Sequence, residues 1–122
     1  MAHDRIYHFI NQPDVDRYLS AAGLTVPSLA TEGFTHASTL DQVLEVVNRL
    51  APYDEEMMVL EIDVARVAAE IRYEESDGNG VFYPHIYGSV PREAIVATHH
   101  LDWDGEDGYT FPPVLQARLN GQ

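Results

Sequence analysis

The chain has 122 residues, the length of one domain, and it has no cysteine, which excludes disulfides, thiolate metal sites and thiol nucleophiles. Twenty acidic residues against seven basic ones, all of them Arg, give a formal charge of −13 that opposes binding of DNA or long RNA. No apolar run is long enough to cross a membrane, and no secretory signal is visible, so we expect a cytoplasmic protein with no membrane partner.

The first segments predict a strand followed by a helix. Residues 5–10 are aromatic and β-branched, which is typical of a strand. Residues 11–22 indicate a helix with Pro13 in its first turn, where the missing N–H costs nothing, and with Gly23 as its C-terminal cap. Residues 24–30 include a proline and are expected to be extended but irregular.

A second strand and a second helix follow. Residues 34–37 indicate a short strand. Thr39 and Gln42 then match a capping box, in which each side chain accepts a hydrogen bond from the other residue's backbone. Apolar side chains recur at helical spacing over residues 40–50, which predicts a helix.

The middle of the chain predicts two strands with a short turn between them. Residues 57–63 are almost all apolar and indicate a buried strand. Residues 63–66 indicate a helical turn, and residues 70–74 alternate charged and apolar side chains as a half-exposed strand does. Residues 77–80 contain two glycines and indicate a turn or loop.

Shorter extended segments are expected in the next part. Residues 81–83 and 85–87 favour extended backbone, and Pro84 is expected to separate them because it lacks the N–H that a central strand needs. Residues 94–103 indicate the last strand.

These elements, about six strands and two early helices without regular alternation, predict an α+β fold. A single domain is expected over residues 1–103, because no linker, repeat or low-complexity stretch divides them. Residues 104–122 are polar and contain glycine, and we expect them to form a loosely packed tail.

The sequence lacks the motifs of several common enzyme classes. It contains no GxGxxG, no Walker A motif, no HExxH and no GxSxG. Rossmann dinucleotide binding, P-loop hydrolysis, zincin chemistry and the α/β-hydrolase nucleophile elbow therefore have no basis in this chain.

Three histidines remain as candidate catalytic residues. His8, His36 and His85 lie among aromatic and β-branched residues, and imidazole can donate, accept or transfer a proton near neutral pH. Tyr87, two residues after His85, can form a pocket wall that stacks on an aromatic ligand. The alternative at each position is a packed side chain with one hydrogen-bond partner.

The second strand adds polar and aromatic side chains near a helix end. Phe34, His36 and Ser38 share one face of this strand, because alternate residues of a strand point the same way. The helix that follows offers free N–H groups that suit an anion, whereas Ser38 and Thr39 can instead serve only as helix caps. Three neutral imidazoles also suit zinc, but the histidines lack close ligand spacing, so we expect no metal.

Several stretches, taken in order, resemble an uncharacterised bacterial family, the domain of unknown function 952. They are Ile6–His8, Pro27–Thr39, Gln42–Leu44, Leu60–Asp63 and Pro84–Gly88. The resemblance runs from about residue 5 to residue 103, and Ala37 departs from it where the family often carries Cys.

That family is similar to the ADP-ribosyltransferase fold superfamily, whose split antiparallel β core binds NAD in a cleft. The resemblance implies that His8 hydrogen-bonds a ribose hydroxyl, that His36 with Ser38 lies near the nicotinamide, and that His85 and Tyr87 lie near the third catalytic position. The residues expected to contact NAD are His8, Phe34, His36, Ser38, Thr39 and Tyr87, and those expected to be catalytic are His8, His36 and His85. The superfamily often has Glu at the third position, and Pro84–Gly88 contains none.

Two functions therefore stand as expectations. The first is an enzyme of ADP-ribosyltransferase type that uses NAD as its substrate. The second is a non-catalytic module that binds a nucleotide or another small ligand in the same cleft. A purely structural role for the histidines remains a third possibility.

Overall fold

The structure, a computed structural model, describes residues 3–51, 56–75, 78–105 and 108–121. Its helices are α1 (Gln12–Tyr18), α2 (Pro27–Thr31), α3 (Leu40–Leu50) and α4 (Pro113–Leu119), with 3₁₀ turns at Val64–Arg66 and Arg92–Ala94. Its strands are β1 (Arg5–Asn11), β2 (Gly23–Leu24), β3 (Thr35–His36), β4 (Met57–Asp63), β5 (Ile71–Glu75), β6 (Phe82–Ile86), β7 (Val90–Pro91), β8 (Ile95–His100), β9 (Asp102–Trp103) and β10 (Tyr109–Thr110).

Two three-stranded antiparallel sheets organise the molecule. Sheet I has the order β1-β4-β8, and sheet II has the order β3-β6-β5. Two small antiparallel pairs, β2-β7 and β9-β10, complete the pattern in the described part of the chain. The expectation of a small single-domain α+β fold with mostly antiparallel strands is confirmed.

One residue pair connects the two sheets. Tyr7 and Ser38 exchange both backbone hydrogen bonds, with N···O distances of 2.8 Å and 2.7 Å. Tyr7 lies in β1 of sheet I, and Ser38 follows β3 of sheet II by two residues. The two sheets share no other strand pairing in the described residues and separate on one side of this pair. The β core is therefore split, and the split begins beside His8.

Each face of β1 packs into a different hydrophobic core. Ile6 and Ile10 face a core that lies between the two sheets, together with Leu60 of β4. Tyr7 faces a second core formed with α3 and α4. Because alternate residues of a strand share a face, His8 lies on the same face as Ile6 and Ile10, in the middle of a hydrophobic row.

Helix α1 is shorter than the expected helix over residues 11–22. It ends at Tyr18, because Leu19 is extended and forms a bridge with Leu24. Gly23 does not cap the helix. It has φ +143°, and a Cβ there would lie 2.1 Å from the carbonyl oxygen of Val90, so glycine is needed for the close approach of β2 and β7.

Proline begins a helix where an irregular extended segment was expected. Pro27 occupies the first turn of α2, where its fixed φ suits a helix and its missing N–H costs nothing. The short helix places Ser28 so that its hydroxyl donates to the carbonyl of Phe34 at 2.8 Å.

Helix α3 confirms the expected helix over residues 40–50. The capping box is present, and the Gln42 side-chain oxygen accepts from the Thr39 N–H at 3.0 Å. Val43 and Val47 of α3 are fully buried. Every helix in the described residues is too short or too polar to span a lipid bilayer.

Strand β6 runs through Pro84, so the expected break at that residue is wrong. The Pro84 carbonyl accepts a hydrogen bond from the Ala37 N–H at 3.1 Å, and proline has no N–H to return. This position is the end of the β3–β6 ladder, where the loss of one hydrogen bond is tolerated. The loop expected over residues 77–80 includes Asp77, which lies outside the described residues.

The strand expected over residues 94–103 is two strands that belong to different sheets. Strand β8 pairs with β4, whereas β9 pairs with β10. Between them, the Leu101 N–H donates to the Met57 carbonyl at 3.0 Å.

The prediction of a loosely packed tail over residues 104–122 is wrong for the described residues of this segment, because they pack into the second core. Tyr109, Phe111 and Leu115 are buried in the second core. The Asn48 side chain holds the Tyr109 backbone with two hydrogen bonds of 2.6 Å and 3.1 Å. Residues 106, 107 and 122 lie outside the described part of the chain.

Candidate functional site

A cleft of about 510 Å³ opens where sheets I and II diverge. The diverging strands β1 and β3 contribute to its wall, and helices α1, α2 and α3 enclose it further. The polar side chains that line it include His8, Asn11, Ser38, His36, Arg49 and His85. The volume lies within the range of roughly 300–1,000 Å³ that is typical of small-molecule sites.

The backbone of β1 faces the cleft beyond the Tyr7–Ser38 pair. In an antiparallel strand, residues i and i+2 direct their N–H and C=O groups to the same side. Because the groups of Tyr7 bond to Ser38, those of Phe9 also point away from β4 and toward the cleft. Sheet I has no further strand on that side of Phe9 in the described residues, so one peptide donor and one peptide acceptor border the cleft.

His8 is held in one tautomer at the point of divergence. Its Nδ1 lies 2.6 Å from the carbonyl oxygen of His36. A carbonyl only accepts hydrogen bonds, so Nδ1 carries the proton and Nε2 carries the lone pair. Nε2 has no hydrogen-bond partner among the described residues.

Burial also keeps His8 neutral. Removal from water lowers the pKa of His8 below its ordinary value, and the hydrogen bond to the His36 carbonyl offsets this only in part. The side chain therefore presents a neutral nitrogen acceptor to the cleft at neutral pH.

His36 lies at the exposed edge of the cleft. Its Nε2 pairs with the Glu32 carboxylate at 3.0 Å, and almost half of its side chain is exposed. In the register of sheet II it is directly opposite His85, and the two ring centroids are 5.4 Å apart.

His85 is a buried part of the cleft wall and is fixed from two directions. Its Nδ1 donates to the Glu74 carboxylate at 3.0 Å. Its ring stacks on Phe34 with a centroid distance of 4.0 Å and an interplanar angle of 15°. The side chain is only 3% exposed, so its orientation is set by these contacts.

Glu74 is a carboxylate that the sequence did not indicate. One of its oxygens accepts from the Tyr87 hydroxyl at 2.5 Å as well as from His85. These two hydrogen bonds, that of Tyr87 being the stronger influence, lower the pKa of Glu74. The Arg72 guanidinium lies 4.4 Å above the Tyr87 ring.

The signal for Glu74 lay in strand pairing rather than in a motif. The segment from Pro84 to Gly88 has no Glu of its own, and the carboxylate comes from the neighbouring strand β5. The alternation of Glu70, Arg72 and Glu74 places them on one face, but only the register with β6 brings that face against His85.

The expected site residues do not all line the cleft. Those that line it are His8, His36, Ser38 and His85. Phe34 and Tyr87 contact His85 or Glu74 and lie outside the lining residues. The Thr39 hydroxyl donates to the Asp41 carboxylate at the start of α3.

Other lining residues had no motif to mark them. Asp14 and Tyr18 come from α1, and Arg49 comes from the last turn of α3, where its Nε is 3.3 Å from Glu45. Among the described residues, no three His, Asp or Glu side chains are arranged to hold a metal ion.

Comparisons with known proteins agree with this fold. A crystal structure of protein CC0527 from Caulobacter crescentus is 18% identical, has a TM-score of 0.78, and matches 92% of this chain and 98% of its own. A solution NMR structure of CC0527 is 21% identical, with a TM-score of 0.71 over 98% of this chain and 100% of its own. No curated protein matches the chain.

The comparison with family models identifies the chain. The model described as "Protein of unknown function (DUF952)" matches residues 10–98. This range includes most of both sheets, together with His36 and His85 but not His8. The match extends over well more than half of the chain, in agreement with the resemblance found from the sequence. The chain belongs to the DUF952 family.

Proposed function

We propose that the cleft binds NAD and that the protein transfers its ADP-ribosyl group to an acceptor with release of nicotinamide. The observation that carries this proposal is His8, a neutral imidazole with a fixed tautomer in the middle of a hydrophobic strand face. Its Nε2 is accessible and has no hydrogen-bond partner among the described residues, so it is available to accept a hydrogen bond from a ligand in the cleft.

The chemistry of His8 suits a sugar hydroxyl. A neutral Nε2 accepts a hydrogen bond, and a ribose hydroxyl donates one. An Nε2 that carries no proton cannot donate a hydrogen bond to a phosphate oxygen. A neutral imidazole also lacks the charge that would attract a phosphate. The ribosyl part of a nucleotide is therefore the group best matched to this end of the cleft.

The open edge of β1 suits a carboxamide. Phe9 offers one N–H and one C=O side by side, in the arrangement with which a strand pairs to its neighbour. A carboxamide has the complementary acceptor and donor. Nicotinamide carries such a group, whereas adenine nucleotides without nicotinamide do not.

The divergence of the two sheets at Tyr7 and Ser38 supports a fold of the ADP-ribosyltransferase type. In that superfamily a split antiparallel core surrounds NAD. Arg49 adds a cation to the lining of the cleft, and this cation would attract the pyrophosphate. In the proposed reaction, the bond between ribose C1 and the nicotinamide nitrogen breaks, its electron pair neutralises the pyridinium, and an acceptor bonds to C1 as it loses a proton.

The first test is NAD binding measured by calorimetry. We expect a Kd between about 1 μM and 1 mM, the usual range for an enzyme substrate. His8→Gln removes an imidazole acceptor and should weaken binding by about tenfold or more. His100→Gln is the matched control, because His100 is exposed on β8 and does not line the cleft. Absence of binding to the wild-type protein at millimolar NAD would contradict the proposal.

A non-catalytic NAD-binding module is the second candidate. The observation in its favour is that carboxylates already pair with ring nitrogens of His36 and His85. Mass spectrometry of the incubated mixture separates the two candidates. Release of nicotinamide above the rate of the His8→Gln protein indicates transfer, whereas binding without release indicates the module.

A further inference from the structure

We propose that Arg118, in the last turn of α4, is a positioning residue for the cleft, which it shapes by holding Tyr7 at the point where the two sheets separate. Arg118 is not among the residues that line the cleft, whereas Tyr7 is. The Tyr7–Ser38 pair is the one strand pairing between sheets I and II in the described residues. The role concerns the shape of the cleft, so it goes beyond the proposed function and does not depend on which ligand binds.

One nitrogen of Arg118 contacts two neighbouring strands. Its Nη1 donates to the Tyr7 hydroxyl of β1 at 3.1 Å and to the Glu61 carboxylate of β4 at 2.8 Å. Tyr7 and Glu61 are directly opposite each other in the register of sheet I, so a single guanidinium fixes both members of one cross-strand pair. The Tyr7 side chain is therefore held at its hydroxyl end as well as along its ring, which is buried in the second core.

Glu61 keeps Arg118 in this place. Its side chain is only 6% exposed, and it also pairs with Arg5 at 3.1 Å and with His99 at 2.8 Å. Burial alone would raise the pKa of Glu61, but the hydrogen bonds from Arg118 and His99 outweigh it and lower the pKa. A buried charged carboxylate needs its basic partners, because the loss of one leaves part of its charge uncompensated. Arg118 is therefore bound more firmly than an ordinary surface arginine.

The side chains around Tyr7 belong both to the second core and to the wall of the cleft. Those that the core and the cleft share are Tyr7, Phe9, Ala51 and Met57. Helix α4 contributes Leu115 to the same core. A displacement of α4 therefore reaches the cleft through packed side chains, because close-packed interiors transmit strain.

The backbone carries the effect from Tyr7 to the polar part of the cleft. The Tyr7 N–H and C=O bond to Ser38, and the next residue, His8, donates from Nδ1 to the His36 carbonyl at 2.6 Å. His36 precedes Ser38 by two residues, so both contacts connect the same two segments of chain. A shift of Tyr7 relative to Ser38 therefore changes the contact between His8 and His36. Arg118 thus sets the position of the imidazole that borders the cleft.

Amide hydrogen exchange measured by NMR tests this role without any ligand. The Ser38 N–H bonds to Tyr7 across the two sheets, whereas the adjacent Ala37 N–H bonds to Pro84 within sheet II. Global unfolding exposes both amides equally, so the ratio of their exchange rates measures the link between the sheets. Arg118→Gln should raise the Ser38 rate relative to the Ala37 rate by about threefold or more, as expected for the loss of one hydrogen bond.

Arg5→Gln is the matched control. Arg5 is exposed to the same extent as Arg118 and also pairs with Glu61, but its guanidinium forms no hydrogen bond with the Tyr7 hydroxyl. This variant should keep the wild-type ratio. Tyr7→Phe removes only the hydroxyl and keeps every partner of Glu61, so it should match Arg118→Gln, and it carries the test if that variant does not fold. The double variant should show no larger ratio than either single change.

The imidazole of His8 gives a second measurement. The proton on its Nδ1 should have a signal far downfield in the wild type, because its hydrogen bond is short. The signal should move upfield in Arg118→Gln and in Tyr7→Phe but not in Arg5→Gln. An unchanged exchange ratio or an unchanged His8 signal in either folded variant overturns the inference, and so does an equal change in Arg5→Gln. Neither measurement contains NAD, so the results are independent of the proposed function.

Discussion

Gly23 shows how one residue determines the approach of two strands. Its φ of +143° lies in a region that side chains rarely adopt, and an added Cβ would lie 2.1 Å from the Val90 carbonyl oxygen. Gly23→Ala should therefore lower the free energy of unfolding by about 3 kcal/mol or more, through backbone strain and a clash with rigid backbone. Urea unfolding measures this change.

Gly33 provides the control for Gly23. It also has positive φ, +91°, but an added Cβ meets nothing within 4 Å. Gly33→Ala should cost only the strain of the backbone conformation, about 1–2 kcal/mol. Equal losses in the two variants would show that the contact with Val90 contributes nothing.

At the scale of residues, the sequence indicated the histidines but not their partners. His36 and His85 were expected in one cleft, and the structure places them opposite each other on neighbouring strands. The carboxylate of Glu74 was not found, because its contact with His85 depends on a pairing register between β5 and β6. A motif records neighbours along the chain, whereas this pair is 11 residues apart.

At the scale of elements, helix α4 differs most from the prediction, because it lies in the segment that was expected to be a loose tail. Leu115 is fully buried against the second core, whereas its neighbour Val114 is 54% exposed. Leu115→Ala should lower the free energy of unfolding by about 2–5 kcal/mol, since it removes a packed side chain and leaves a cavity. Val114→Ala should change it by no more than about 0.5 kcal/mol. Denaturant unfolding of both variants tests whether α4 belongs to the cooperative core, and equal small effects would contradict this.

Arg118 attaches the same helix to sheet I. Its guanidinium donates to the Glu61 carboxylate at 2.8 Å and to the Tyr7 hydroxyl at 3.1 Å. Glu61 is almost fully buried and also pairs with Arg5 and His99. Glu61 therefore has three basic partners, which explains how a carboxylate is tolerated in the middle of β4.

Proline accounts for the wrong predictions at two elements, α2 and β6. Helices α2 and α4 both carry proline in their first turn, at Pro27 and Pro113, and β6 carries Pro84 at a ladder end. Proline was interpreted as a sign of irregular backbone at Pro27 and of a break at Pro84, whereas the segment with Pro113 was predicted to be a loose tail because it is polar and contains glycine. Helix α3 and strand β4 have no such residue, and their hydrophobic periodicity was enough to find them.

At the scale of the whole molecule, the cleft depends on a contact that no local pattern specifies. Tyr7 and Ser38 are joined by two backbone hydrogen bonds, and backbone groups are the same in every residue. The sequence therefore predicted strands of the right type without the pair that links them. Because the two sheets separate beyond that pair, His8 borders a cleft although it lies on the strand face that packs into the core.

The pH dependence of stability tests the state of His8 in the folded molecule without any ligand. Its pKa is lower in the folded protein than the ordinary value of 6.5, which applies to the unfolded chain. Below about pH 6.5 the unfolded chain binds a proton at this residue more readily than the folded protein does, so His8 lowers the free energy of unfolding as the pH falls. His8→Gln cannot titrate and lacks this contribution.

The quantity to measure is the unfolding free energy of the wild type minus that of His8→Gln, from pH 8 to pH 5. Titration of the other histidines and of the acidic surface is common to both proteins and cancels in the difference. We expect the difference to be constant above about pH 7 and to decrease steadily below about pH 6.5. A difference that increases as the pH falls would mean that folded His8 is protonated. Its Nε2 would then be a donor, and the acceptor on which the proposed ribose contact depends would not exist.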